Sequence, residues 1–182
     1  MLGGSFWIAM LRNGMSIILM LSFFLMLDSP RLPMKKAICC YVVFGIVSLF
    51  GYSAWYLLAQ KSFVRIAPLS SLLVVGVFCS LMSGDVLYLS LYKIGAAFYL
   101  FSIGAFVGVD VARWWFDGNL WIDILVRFLC FTVILFLTWK KFRKQFQDGV
   151  DFLIEEMDLY SILTLFFSVF LGAIMAYWPN LQ

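Results

Sequence analysis

TWKKFRKQFQDGVDFLIEEMD, residues 138–158, is the longest polar interruption in an otherwise apolar chain, and its reading orients everything around it. Lys140, Lys141, Arg143 and Lys144 follow directly on an apolar run, and short loops dense in Lys and Arg stay on the cytoplasmic side of a membrane. The stretch is therefore expected inside the cell. Behind the basic cluster, Phe142, Phe146, Val150, Leu153 and Met157 recur at spacings of four, four, three and four, which aligns them as one apolar stripe on a helix. Such a stripe beside a basic cluster reads as a short helix lying on the inner membrane interface.

Working outward, hydrophobic residues fill 64% of the 182 positions, charged residues only 13%, and the mean hydropathy is +1.00. A soluble domain of this length does not have that balance, so the chain reads as an integral membrane protein. Histidine is absent throughout, which removes the commonest general base, the usual zinc ligand and the phosphoacceptor of a histidine kinase. The net charge of +3 sits beside apolar runs and suits anionic lipid head groups, with no nucleic-acid partner expected. Cys39, Cys40, Cys79 and Cys130 lie inside apolar runs without CxxC spacing, signalling neither a redox centre nor a metal site. No cofactor and no metal are expected. The N-terminus lacks a basic region, a short apolar core and a small-residue cleavage site, so residues 5–27 read as a retained first span.

Spanning the hydrocarbon core takes about 20 residues. Six windows meet that length, at 5–27, 37–59, 66–83, 86–109, 119–139 and 159–178. Backbone groups in lipid must be satisfied within their own segment, and these runs are too long and too continuously apolar for barrel strands. The expected fold is an all-α, polytopic transmembrane bundle forming a single domain over residues 1–182, with no linker and no internal repeat. Ser83, Gly84 and Asp85 leave almost no loop between the third and fourth spans, which should form a tight hairpin.

The connections carry the orientation. DSPRLPMKK, residues 28–36, contains the helix breakers Pro30 and Pro33 and the cations Arg31, Lys35 and Lys36. The first, third and fifth connections hold three, none and four Lys and Arg, against two in the second and one in the fourth. Both termini are thus expected outside a multi-pass protein of the plasma membrane. Trp55, Tyr56, Trp114, Trp115, Trp121, Trp139, Tyr177 and Trp178 fall near the span ends, where amphipathic rings favour the interface.

Charges deep in a span cost about 2.5 to 3.5 kcal/mol on insertion scales, so Arg12, Lys93 and Arg127, with Asp123 one turn from Arg127, require explanation. The four form a candidate intramembrane polar cluster. Two readings stand open: the arginines snorkel outward or tie the bundle together, or the cluster senses a ligand. Gly104 and Gly108, and Ser168, Gly172 and Ala176, set small residues at four-residue spacing, which lets helices approach closely, either within one bundle or across a homodimer seam. Two catalytic readings fail on their residues. DVARWWFDGNLWID, 110–123, has neither the early glycine nor the aspartate spacing of a phosphatidyl-alcohol transferase. An intramembrane serine protease would have only Lys93 as its base.

Three features together resemble the N-terminal membrane domains of Gram-positive sensor histidine kinases of the GHKL type. These are the proline-containing basic turn Ser29 to Lys36, the second connection leading through an arginine into a proline-capped helix in FVRIAPLSSLL, residues 63–73, and ILVRFLCFTVILFLTWKKFRKQF, residues 124–146, with its arginine inside an apolar run and its basic exit. The resemblance implies a membrane-embedded signal-input domain that performs no catalysis itself and acts on a cytoplasmic kinase or response-regulator pathway. The phosphoacceptor helix and nucleotide-binding motifs of such kinases do not occur up to Gln182, and with the C-terminus outside one further span would be needed to reach a kinase. The alternatives are a six-helix substrate-binding subunit of an uptake transporter, which the bulky, charged first span disfavours, or an accessory membrane protein.

Overall fold

The uninterrupted apolar runs are helical, as a lipid-facing backbone requires. The computed structural model describes the backbone over residues 2–153 and 157–177, and side chains over residues 6–149 and 159–174. The helices are α1 (Leu2–Leu27), α2 (Met34–Leu58), α3 (Gln60–Met82), α4 (Leu87–Trp115) and α5 (Leu120–Leu137), followed by a π-helical turn (Thr138–Phe142), α6 (Arg143–Leu153) and α7 (Met157–Tyr177). No named strand occurs among the described residues. Among the described residues five helical runs are long and apolar enough to cross a membrane: Phe6–Leu27, Met34–Leu58, Gln60–Met82, Leu87–Trp115 and Leu120–Gly149. In α7 the described apolar part, Leu159–Ile174, is shorter. Ala176, Tyr177, Trp178 and the amphipathic stripe beyond Phe146 lie outside the described side chains.

Three connections differ from the sequence reading. The second is not a loop: α2 ends at Leu58, α3 begins at Gln60, and Lys61 and Arg65 belong to the first turns of α3. Gln, Lys and Arg are good helix formers, so polarity here marks the emergence of a helix from the apolar zone and not its end. Pro68 accordingly lies inside α3 and does not cap it. Proline supplies no N–H to the helix, and next to it the hydroxyls of Ser70 and Ser71 donate to the carbonyls of Ala67 and Pro68 at 3.0 and 2.7 Å. The fourth connection shortens to 116–119, because α4 continues through Asp110 and Arg113 to Trp115. Asp117 and Gly118 take positive φ of 52° and 75°, the Gly118 N–H closes onto the Ala112 carbonyl at 2.8 Å, and the Asn119 side chain caps α5 by accepting from the Trp121 N–H. Finally, α5 does not stop before a separate interfacial helix. It passes through the π turn straight into α6.

Loops 28–33 and 83–86 meet at one end of the bundle. Arg31 N–H donates to Met82 O at 3.1 Å and Gly84 N–H to Ser29 O at 2.8 Å. A Cβ on Gly84 would lie 2.5 Å from the Ser29 carbonyl oxygen, so only glycine permits this approach. The tight hairpin expected at 83–85 is present, and the π turn with the start of α6 sits at the same end, since Phe146 covers Lys93 near the start of α4. This is the basic end, with Arg31, Lys35, Lys36, Lys140, Lys141, Arg143 and Lys144. Ala59 and the 116–119 turn occupy the opposite end.

The central helix is α4, packed by α1, α3, α5 and α7. It runs antiparallel to α5, with Gly104 against Phe131 and Gly108 against Asp123, and parallel to α7. The Ser161 hydroxyl donates to Tyr88 O at 2.6 Å and the Ser168 hydroxyl to Gly95 O at 2.8 Å, while Gly172 faces Leu69 and Phe98. Both described small-residue faces are thus consumed inside the chain. Helix α2 packs on α1 and α3. Its outer surface, Val42, Val43, Ile46, Val47 and Phe50, is exposed as a lipid-facing helix demands.

Candidate functional site

Charge placement singles out two sites, one near each end. At the end opposite the basic loops, Asp123 lies in the first turn of α5 behind its Asn119 cap, and Arg127 stands one turn later on the same face. The Arg127 Nε donates to Asp123 Oδ1 at 2.7 Å, and Arg12 from α1 approaches Asp123 Oδ2 at 2.5 Å. Side-chain exposure is 2% for Asp123, 7% for Arg127 and 21% for Arg12, so the ion pairs are poorly screened. Space for them comes from α4: a Cβ on Gly108 would lie 2.6 Å from Asp123 Oδ1 and 2.7 Å from Arg127 Cγ.

Two guanidiniums share one carboxylate, which leaves one net positive charge in a largely buried setting. Arg12 Nε and Asn13 Nδ2 are also buried with no hydrogen-bond partner among the described residues. Both residues line a cavity of about 180 Å³, together with Arg127, Ser16, Ser71 and the apolar surfaces of Phe63, Ala67 and Phe101. Buried donors of this kind carry a desolvation cost until something accepts from them. The Ser16 hydroxyl is already committed, donating to Arg12 O at 2.7 Å.

Lys93 does not join this cluster. The sequence grouping of Lys93 with Arg12, Asp123 and Arg127 is corrected by its place near the start of α4, at the basic end, where its side chain is 1% exposed. Its Nζ makes a short ion pair with Asp85 and lies 3.4 Å from Asp28 Oδ1. Ser83 links the Asp28 carboxylate to the Asp85 backbone, donating its hydroxyl to Asp28 Oδ1 at 2.5 Å and accepting from the Asp85 N–H at 3.1 Å. The rings of Phe24 and Phe146 both stand 5.7 Å from Nζ, and Phe146 stacks on Tyr92. One cation between two carboxylates leaves a surplus negative charge. Burial holds the Asp28 carboxyl above its ordinary range, with the neighbouring Asp85 pushing the same way and Ser83 and Lys93 opposing.

Asp28 and Asp85 escaped the sequence reading because each sits in a turn-like context, Asp-Ser-Pro and Ser-Gly-Asp, where aspartate ordinarily serves the backbone. The available signal was the eight-residue interval between Asp85 and Lys93, about two helical turns. Among the described residues no three of His, Cys, Asp and Glu converge as metal ligands, and the four cysteines are unpaired. The two sites are joined physically, because α5, the π turn and α6 are one continuous helical run from Asp123 to Phe146. Compared with known proteins, the chain matches no family model, no curated protein and no solved structure.

Proposed function

We propose that this bundle is a membrane-embedded signal-input domain, without catalysis of its own, that passes a stimulus received at the Arg12–Asp123–Arg127 site to its basic end, of the kind that serves GHKL-type sensor histidine kinases in Gram-positive bacteria. One observation carries the reading: a single helical run links the ionic site on α1 and α5 to Phe146 above Lys93, and it is interrupted only by a π turn. A π turn holds one extra residue, and its conversion to α geometry rotates everything beyond it by about 100°. A stimulus that favours one of the two geometries therefore turns α6 relative to α5. In this reading the loops 28–36 and 138–158 face the cytoplasm on the strength of their Lys and Arg, α7 makes the sixth crossing, and the partner is a cytoplasmic kinase or response-regulator pathway.

The transporter-subunit alternative calls for a small-residue first helix, and the bulky, charged α1 does not suit it. Hydrogen exchange of wild type and Asp123→Asn in lipid nanodiscs tests the proposal. Altered protection at residues 138–149, far from the substitution, is the expected result. A change confined to residues 119–127 would leave a bundle that merely contains two ion-pair sites, the accessory-membrane-protein reading.

A further inference from the structure

We infer that the cavity between α1, α3, α4 and α5 binds a small monocarboxylate with an apolar body, its carboxylate received by Arg12, Arg127 and Asn13. The inference rests on the reading of this site as the input and names its ligand class. Charge comes first. Asp123 neutralises one of two guanidiniums, so the site lacks one negative charge, and a monoanion restores neutrality where a dianion would overshoot. Donor geometry comes second. Arg12 Nε and Asn13 Nδ2 are buried and unpartnered, they come from adjacent residues of α1, and both residues line the cavity. Guanidinium forks match the planar, two-oxygen form of a carboxylate.

The remaining wall defines the rest of the molecule. The hydroxyls of Ser16 and Ser71 are committed to the carbonyls of Arg12 and Pro68, and Phe63, Ala67, Pro68 and Phe101 are apolar, so this wall offers an inorganic oxyanion little to bond, whereas an aromatic or short aliphatic body would lie against it. The cavity holds about 180 Å³, and an apolar cavity of roughly 150 Å³ accommodates benzene. The volume thus suits a body of benzoate size.

Titration calorimetry on the whole chain in phosphatidylcholine nanodiscs tests this, with sodium benzoate as probe, benzamide as its neutral isostere and inorganic phosphate as a bare anion. Saturable benzoate binding, with benzamide and phosphate at least about tenfold weaker, is expected, since a charge-assisted hydrogen bond lost is worth that much. Arg12→Gln should weaken benzoate by a similar factor. Ala67→Leu leaves all three ionic residues in place and fills the cavity, so it should abolish binding while a native-like melting curve reports an intact fold. Equal binding of benzamide, phosphate binding as tight as benzoate, or undiminished binding in Ala67→Leu would each overturn the inference. Hydrogen exchange at 138–149 with and without benzoate separates the two ideas: binding without a distant change removes the sensory reading and keeps the ligand class.

Discussion

Asp123 is the residue on which the site at the far end depends, because it is the one carboxylate between two arginines. Its removal leaves two partly desolvated cations facing each other, whereas losing Arg127 leaves a simple pair. Asp123→Asn should therefore destabilise more than Arg127→Leu, at a cost of about 1 to 4 kcal/mol, with water access favouring the lower end. Thermal unfolding in detergent of Asp123→Asn, Arg12→Leu and the double variant checks the coupling, and strict additivity would dissolve the cluster as a unit. At the basic end the decisive residue is Asp28. A carboxyl whose pKa is raised on folding holds its proton more tightly in the folded state, so the stability it contributes is complete below its ordinary 3.8 and drains away as pH rises through the raised value. Asp28→Asn imitates the protonated form and should flatten that decline. Unfolding midpoints taken at steps from about pH 4 to about pH 8 decide it, and an unchanged slope would assign the pH dependence elsewhere.

Among the elements, the glycines divide by what faces them. Gly108 meets Asp123 and Arg127, and Gly108→Ala should cost about 1 to 3 kcal/mol by overpacking. Gly51, exposed on α2 with nothing near it, is the control: Gly51→Ala should be neutral or gain up to about 1 kcal/mol. The π turn offers a second test. Deleting Trp139 should convert it to α geometry and carry Phe146 away from Tyr92, whose ring it now stacks on at 6.1 Å. In a cysteine-free background, Tyr92→Cys and Phe146→Cys should be bridged by a short bifunctional thiol reagent, and the deletion should abolish the bridge. Persistence of the bridge would show that the turn does not set the direction of α6. At this scale the helices themselves were legible, because apolar length in lipid leaves no other structure. Their ends were not. Gln60 to Arg65 and Asp110 to Trp115 are polar or amphipathic but helical, and hydropathy reports the depth of a residue, whereas capping and φ decide where a helix stops. The pairing of Arg127 with Asp123 was legible in their one-turn spacing, while the pairing of Lys93 with Asp28 depended on two loops meeting through Gly84, which no periodicity records.

For the whole molecule, the alternation of connections between the two ends fixes which loops share a side, and the distribution of Lys and Arg then proposes which side is the cytoplasm. A single cysteine replacing Gln145 in a cysteine-free variant should resist an impermeant thiol reagent in intact cells, and one replacing Lys61 should react. The reverse pattern would invert the topology. The position of α4 has a consequence for biogenesis. A ribosome delivers helices in order, yet the partners of this central helix are divided between those made before it, α1 and α3, and those made after it, α5 and α7. Lys93 finds Asp28 already waiting and Asp85 arriving beside it, so its charge can be matched on entry. The side of α4 that carries Gly95, Gly104 and Gly108 has no such provision. Until α5 and α7 emerge, that seam must be sheltered by lipid or by the insertion machinery, and the bundle closes only when Ser168 reaches the Gly95 carbonyl.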